Sequence, residues 1–210
     1  DNYFYGSVYS AQYQQGGRQI ILGGSWNRYD GRHYGEIIRT IAFVNVPAGY
    51  RWYNLTAAKT DWNQFVKWTE KINQWEIFAD VQARVVQYSI NGFRNNPTLN
   101  VNSHYFFFNP KIGLQYNRSR LRIYAFAGIA NKEPNRDDFE SNAQEKPSPE
   151  KLLNIEGGLE QQGSRFTWNI NAYYMRYRDQ LVLTGKINDV GAYTRTNIPN
   201  SYRLGAELTA

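Results

Sequence analysis

The sequence has no cysteine, a single methionine and only two histidines among its 210 residues. It therefore offers no disulfide framework and no cysteine-based metal site. His33 and His104 lie far apart and lack the HExxH spacing of a zinc enzyme. No apolar run approaches the roughly 18 residues of a membrane helix, and the mean hydropathy is −0.67. There is no run of like charge either. Lys and Arg (24) outnumber Asp and Glu (18), giving a net charge of +6, but they are scattered. That pattern excludes a nucleic-acid patch and predicts no nucleic-acid partner. No Ser-His-Asp arrangement and no phosphate loop can be read, so no catalytic residue, metal ligand or cofactor is assigned. The chain opens at Asp1 without an initiator Met or leader and stops within a strand pattern at Ala210, which reads as a piece of a longer protein.

What is abundant is aromatic: 17 Tyr, 11 Phe and 6 Trp. They sit in long alternating segments. From Lys151 to Leu183 the chain reads as two strands joined at Gly163-Ser164. Leu153, Ile155, Gly157 and Leu159 share a face with Phe166, Trp168, Ile170, Ala172 and Tyr174. Asn154, Glu156, Gly158 and Glu160 share the other with Thr167, Asn169, Asn171 and Tyr173. Side chains on a strand alternate with period two, so this is a hairpin with one apolar and one polar face. Its strands exceed the usual 5–6 residues or so and suit a tilted membrane strand, which needs about 9–11. Low hydropathy is no obstacle, because half of each spanning strand is polar.

Along the chain, strands are expected over 3–13, 19–27, 61–71, 75–88, 104–116, 121–130 and 193–210 as well, about nine in all. On the fourth, Trp75, Ile77, Ala79, Val81, Ala83 and Val85 oppose Glu76, Asp80, Gln82 and Arg84. On the fifth, Phe106, Phe108, Ile112 and Leu114 oppose Asn109, Lys111 and Gln115. Residues 28–60 read as a long irregular stretch, within which 36–46 forms either a strand or a helix. Residues 131–150 read as a long polar loop. Short connections (14–18, 72–74, 117–120, 163–164) alternate with long ones (28–60, 91–103, 131–150, 184–191). A membrane barrel has short periplasmic turns and longer outer loops, and Trp75, Tyr116, Phe166 and Trp168 fall at the short-turn ends as an aromatic girdle. Arg178-Asp179 is expected at a strand end, marking the membrane boundary. The fold class is all-β: an antiparallel meander of long strands forming part of a transmembrane β-barrel.

Four segments then resemble the barrel of TonB-dependent outer-membrane receptors, particularly of the Bacteroidetes type. They are Arg28-Tyr29-Asp30-Gly31-Arg32-His33-Tyr34-Gly35-Glu36; Phe108-Asn109-Pro110-Lys111-Ile112-Gly113-Leu114; Lys132-Glu133-Pro134-Asn135-Arg136-Asp137-Asp138-Phe139; and Pro147 through Leu152 with Glu156-Gly157-Gly158. The resemblance covers essentially the whole chain as one barrel domain, 1–210, without a plug. It implies a barrel of about 22 strands around an N-terminal plug, located in the bacterial outer membrane. It implies uptake of a scarce small-molecule ligand (iron–siderophore, haem, cobalamin or a glycan), with outer-membrane lipid around the wall and the TonB complex as partner through the missing N-terminal region.

The expected ligand-binding residues lie in the outer loop 28–60. Tyr29, His33, Tyr34, Tyr50, Trp52 and Tyr53 offer stacking surfaces, and Arg32 and Arg51 can pair with an anion. The plainer alternative is that these aromatics pack the loop or sit in the interface belt. Glu76, Asp80, Arg84, Glu156 and Glu160 are expected on the lumen wall, solvated or paired. Asp137-Asp138 with Glu133 offers oxygen ligands to a hard cation, although ion pairs that fix the loop account for them more simply. Two rival readings remain open: a small complete outer-membrane barrel acting as adhesin or enzyme, and a soluble β-sandwich carbohydrate-binding module.

Overall fold

The computed structural model describes residues 1–39, 46–141, 146–187, 191 and 193–210. Nine strands follow one another: β1 (Asn2–Gln15), β2 (Arg18–Glu36), β3 (Arg51–Ile72), β4 (Trp75–Asn91), β5 (Asn100–Arg118), β6 (Leu121–Lys132), β7 (Glu150–Gln162), β8 (Thr167–Ile187) and β9 (Tyr193–Thr209). One short helix, α1 (Arg136–Ser141), lies between β6 and β7. The strands form a single sheet in sequence order, every neighbouring pair antiparallel. A sandwich would divide them between two packed sheets, and the described residues contain one. Among the described residues the sheet does not close on itself, and β1 and β9 each have one strand neighbour.

Register follows from alternation. Trp75, Ile77, Ala79, Val81, Ala83 and Val85 stand opposite Tyr116, Leu114, Ile112, Pro110, Phe108 and Phe106. They make an outward apolar band, with Phe106, Phe108 and Ile112 more than half exposed. A one-residue slip would turn all of them into the lumen, which is why the register is unique. Aromatic rows bound the band. Trp75 packs on Tyr116 with ring centroids 4.8 Å apart at the short-turn end. Trp26 stands opposite Trp62 at the other end. The tight turns Gly16-Gly17, Asn73-Gln74 and Ser119-Arg120 each place their first residue in the left-handed region (φ 56°, 53° and 52°), a conformation Gly adopts freely and Asn tolerates.

Near the short turns, the lumenal face is built from aromatic residues lying over glycines on the adjacent strand. Phe65 stands opposite Gly23, Phe78 opposite Gly113, Tyr124 opposite Gly158 and Tyr173 opposite Gly205. A Cβ on Gly23 would come within 2.6 Å of the Phe65 ring, and one on Gly158 within 2.5 Å of Tyr124. The missing side chain is the space the ring occupies, which is how an aromatic restores packing to a glycine in a strand.

Several expectations are corrected. Residues 28–36 and 51–60 are strand, not loop, so the connection shrinks to 37–50. β2 and β3 outrun the bilayer, and beyond it neither face needs to be apolar, so the alternation that marks a strand fades. The question of strand or helix over 36–46 falls mostly on 40–45, outside the described residues. The polar loop after β6 contains α1. Arg178-Asp179 lies inside β8, where Arg178 pairs with Asn200 and Gln180 with Ile198. Asp179 is skipped by the ladder at φ 54°, so it marks an irregularity in the strand rather than its end.

Candidate functional site

The strands carry the lumenal face beyond the membrane, and there it changes character. Val86, Tyr88 and Ile90 of β4 point inward with Ala57, Val101 and Phe107 and are buried, together with Phe93 and Phe139. The connection after β6 covers them. Its helix starts with a reciprocal cap: the Asp138 amide donates to Asn135 Oδ1 at 2.9 Å, and the Asn135 amide donates to Asp138 Oδ2 at 2.7 Å. Both orphan donors are thereby satisfied. Phe139 then turns into the core against Tyr88, with ring centroids 5.9 Å apart, and Arg136 lies over the Phe93 ring at 5.1 Å. Asp138, almost fully buried, pairs with Arg195 of β9.

Beside this core sits an ion network. Arg84 grips Asp61 through Nη2 at 2.5 Å and Nε at 3.0 Å. Its Nη1 and Nη2 also reach Glu133 at 2.8 and 2.9 Å. Lys59 Nζ donates to Glu133 at 2.9 Å and lies 4.9 Å above the Tyr88 ring. Burial raises the Glu133 carboxyl, but the hydrogen bonds from Lys59 and Arg84 outweigh it and hold the group below its ordinary value. Adjacent to the network is a polar cavity of about 370 Å³ lined by Ser25, Asn63, Gln82, Asn109, Lys111 and Asn131, among others. It opens where the β5–β6 ladder ends, since pairing stops at Lys111, next to Pro110. Asn109 closes part of that gap by accepting from the Asn131 amide at 3.0 Å and from its side chain at 2.8 Å.

The eight expected ligand residues do not converge. Tyr29 and His33 share the lumenal face of β2, with Tyr29 Oη 3.3 Å from His33 Nε2. Trp52 and Tyr53 pack edge to face at 4.4 Å across Gly35, whose Cβ would collide with both rings. Arg94 lies 5.9 Å above Trp52. Tyr29 and His33 thus lie along the same face of β2 as Gly35, over which Trp52 and Tyr53 pack. Arg32 and Tyr34 stand on the opposite face of β2: Arg32 donates to Asn54 at 3.0 Å, and Arg51 lies 4.1 Å over the Tyr34 ring while pairing with Glu36 at 2.7 Å. Tyr50 is exposed in the 37–50 connection. Of the acids weighed as cation ligands, Glu133 and Asp138 are each occupied by basic side chains, and among the described residues no cluster of acidic or histidine ligands has metal-binding geometry. Sequence reasoning placed Arg84 inward but missed Lys59 and Asp61. The signal was present, because odd positions of β3 alternate with Trp62, Val66 and Trp68.

A single open sheet of long strands, apolar outside, with tight turns at one end and a filled mouth at the other, is a sector of a membrane barrel. The profile of the "TonB dependent receptor-like, beta-barrel" family matches residues 1–210. The chain belongs to this family. Its receptor barrel therefore sits in the bacterial outer membrane. Among solved structures it is similar to the copper transporter OprC, with 16% identity and a TM-score of 0.80, covering 99% of this chain and 34% of that one. It is also similar to the FrpB iron transporter from Neisseria meningitidis (F3-3 variant), with 14% identity and a TM-score of 0.65, covering 99% and 32%. A third is BauA, the ferric preacinetobactin receptor from Acinetobacter baumannii, with 13% identity and a TM-score of 0.56, covering 99% and 33%. This receptor barrel thus spans about a third of the length of the solved chains it matches. No curated protein matches its sequence.

Proposed function

We propose that this chain is a sector of the wall of a receptor that takes up a scarce ligand across the outer membrane, driven through the TonB complex by a plug region outside the 210 residues. The carrying observation is the family match along the entire sheet. The candidate ligand classes are iron–siderophore, haem, cobalamin and glycans. Metal-bearing cargo is favoured among them, because the similar solved chains are named for copper, iron and a ferric siderophore.

Within the chain, the lumenal group Tyr29, His33, Trp52 and Tyr53 is the best contact surface for that cargo. Three flat aromatic rings and an imidazole at the rim suit a planar or chelated ligand, and Arg94 beside Trp52 adds a cation for an anionic one. Arg32, Tyr34, Arg51 and Tyr50 belong to the outer rim and supply its shape. The test is growth of a strain lacking the parent gene on limiting iron–siderophore, haem, cobalamin or glycan. The strain is complemented with the intact receptor or with one carrying Tyr29→Ala, His33→Ala, Trp52→Ala and Tyr53→Ala. Rescue by the intact receptor on one nutrient, with loss in the variant at equal surface abundance, supports both the uptake and the site. Rescue by both keeps uptake and rejects the site, and rescue by neither on any nutrient rejects uptake.

A further inference from the structure

The outer face of β7, β8 and β9 ascends in rows. Ile155, Tyr174 and Leu204 stand side by side, then Leu153, Arg176 and Tyr202, then Lys151, Arg178 and Asn200. Tyr174 and Tyr202, with ring centroids 6.4 Å apart, form the upper aromatic belt on this side, as Trp168 forms the lower one. From Trp168 to Arg178 is ten residues. At about 3.3 Å each on a strand tilted by about 40°, that rises roughly 25 Å, the height of the apolar band. Lys151 and Arg178 therefore emerge at the level of the outer-leaflet headgroups, Arg176 lies one row below them, about 5 Å down, and all three are exposed.

Their charge is unbalanced. Lys151 and Arg178 are direct cross-strand partners, and like charges directly opposite on one face destabilise a strand pair. Two other cations of the outer face are paired with carboxylates, Arg18 with Glu70 at 2.7 Å and Arg28 with Asp30 at 2.9 Å, and Arg32 donates to Asn54. Among the described residues, no carboxylate lies within ion-pair distance of Lys151, Arg176 or Arg178. Three cations in two adjacent rows at an aromatic belt, facing lipid, call for an anion that comes from the membrane itself.

We propose that Lys151, Arg176 and Arg178 form a binding site for a phosphate-bearing lipid headgroup of the outer leaflet. Arg176 and Arg178 grip phosphate oxygens through their planar forks, and Lys151 contributes a point charge beside Arg178. Leu153, Tyr174 and Tyr202 lie against the first part of the acyl chains. The bound anion removes the Lys151–Arg178 repulsion. The proposal rests on the outer-membrane placement of the barrel and not on the uptake reading, so growth on limiting nutrients and lipid binding fail separately.

The test uses the full-length receptor in detergent. Lipid A carrying both phosphates, the same lipid with its phosphates removed, and inorganic phosphate are titrated against the wild type and against Lys151→Gln, Arg176→Gln and Arg178→Gln, singly and combined. Attraction of roughly fivefold in affinity per basic residue near a membrane surface predicts about fivefold weaker binding per single variant and on the order of a hundredfold for the triple. Dephosphorylated lipid A should bind the wild type no better than the triple variant, and millimolar inorganic phosphate should not compete. Arg28→Gln, on the matched side of the wall, should bind like the wild type. The charge-keeping pair Lys151→Arg with Arg178→Lys should retain most of the binding, which separates charge from folding. Equal binding by wild type and folded triple variant overturns the site. So does binding that ignores the phosphates, and so does competition by inorganic phosphate, which would make it a free-anion site.

Discussion

The two halves of the lumenal face are held by different means. Near the short turns, each contact is made between neighbouring strands: Tyr124 fills the space above Gly158, and Phe78 the space above Gly113. Toward the long connections, the strands present Val86, Tyr88, Ile90 and Phe107 inward, and no adjacent strand can cover them. The connection carrying Glu133, Asp138 and Phe139 does so. The lower wall is complete as a sheet, whereas the upper wall is complete only with its loop docked. Local packing holds the wall at the membrane, and a docked loop places apolar surface and charge at the mouth, where they can change without disturbing the sheet.

Variants can break this contrast. Phe139→Ala should have the largest effect, about 3–4 kcal/mol against docking of the connection, read as faster proteolysis within 133–141 while the unfolding of the barrel stays unchanged. Equal cleavage of wild type and variant would show that the loop is held some other way. Arg84→Ala should cost about 2–3 kcal/mol, because Asp61 and Glu133 are left facing each other with Lys59 as the remaining cation. Both loop cleavage and barrel unfolding should respond, since Asp61 and Arg84 are strand residues. Gly158→Val should cost about 2 kcal/mol by displacing Tyr124, lowering the unfolding midpoint in denaturant without exposing the loop. A variant that loosens the loop equally would erase the distinction between the halves. Asn135→Ala should cost about 1 kcal/mol through loss of the helix cap, visible as a modest rise in loop cleavage.

Acid sharpens the comparison further. Glu133 has its carboxyl held below the ordinary value, so its contribution is complete above the usual glutamate pKa of about 4.3. It fades as the pH falls below that and is gone once the pH passes the lowered folded value. Loop cleavage by an acid-active protease should rise across that window, and the rise should vanish in Glu133→Gln.

Much of the lower wall was legible because two solvents meet there. From Trp75 to Val85, every second residue must face lipid, so the period is unbroken and the register follows. Beyond the membrane the same strands have water or loop on both sides. Around Arg32 to Glu36 the period carries no message, and strand reads as irregular chain. α1 was legible in Asn135 and Asp138, spaced as a cap, with Phe139 next as the buried anchor, yet the surrounding polar residues concealed it. The Lys59–Glu133 and Arg84–Glu133 contacts were not legible. Strand alternation fixes which face a residue takes, but it is silent on which distant loop folds back onto that face. The ligand candidates shared this fate: their types suited binding, but β2 sends Tyr29 and His33 one way and Arg32 and Tyr34 the other.

The tie between Asp138 and Arg195 spans 57 positions of sequence, and those from Glu133 to Lys59 and Arg84 span 74 and 49. Contacts of such separation form late, because closing long loops must precede them. The hairpins can zip from their tight turns one after another, but the mouth can be sealed only when β3, β4 and β9 are all in place. The connection after β6 therefore acts as a checkpoint in assembly. A barrel with a seated helix has its wall built, and one that stalls midway displays a loose, cleavable segment on the outside of the cell.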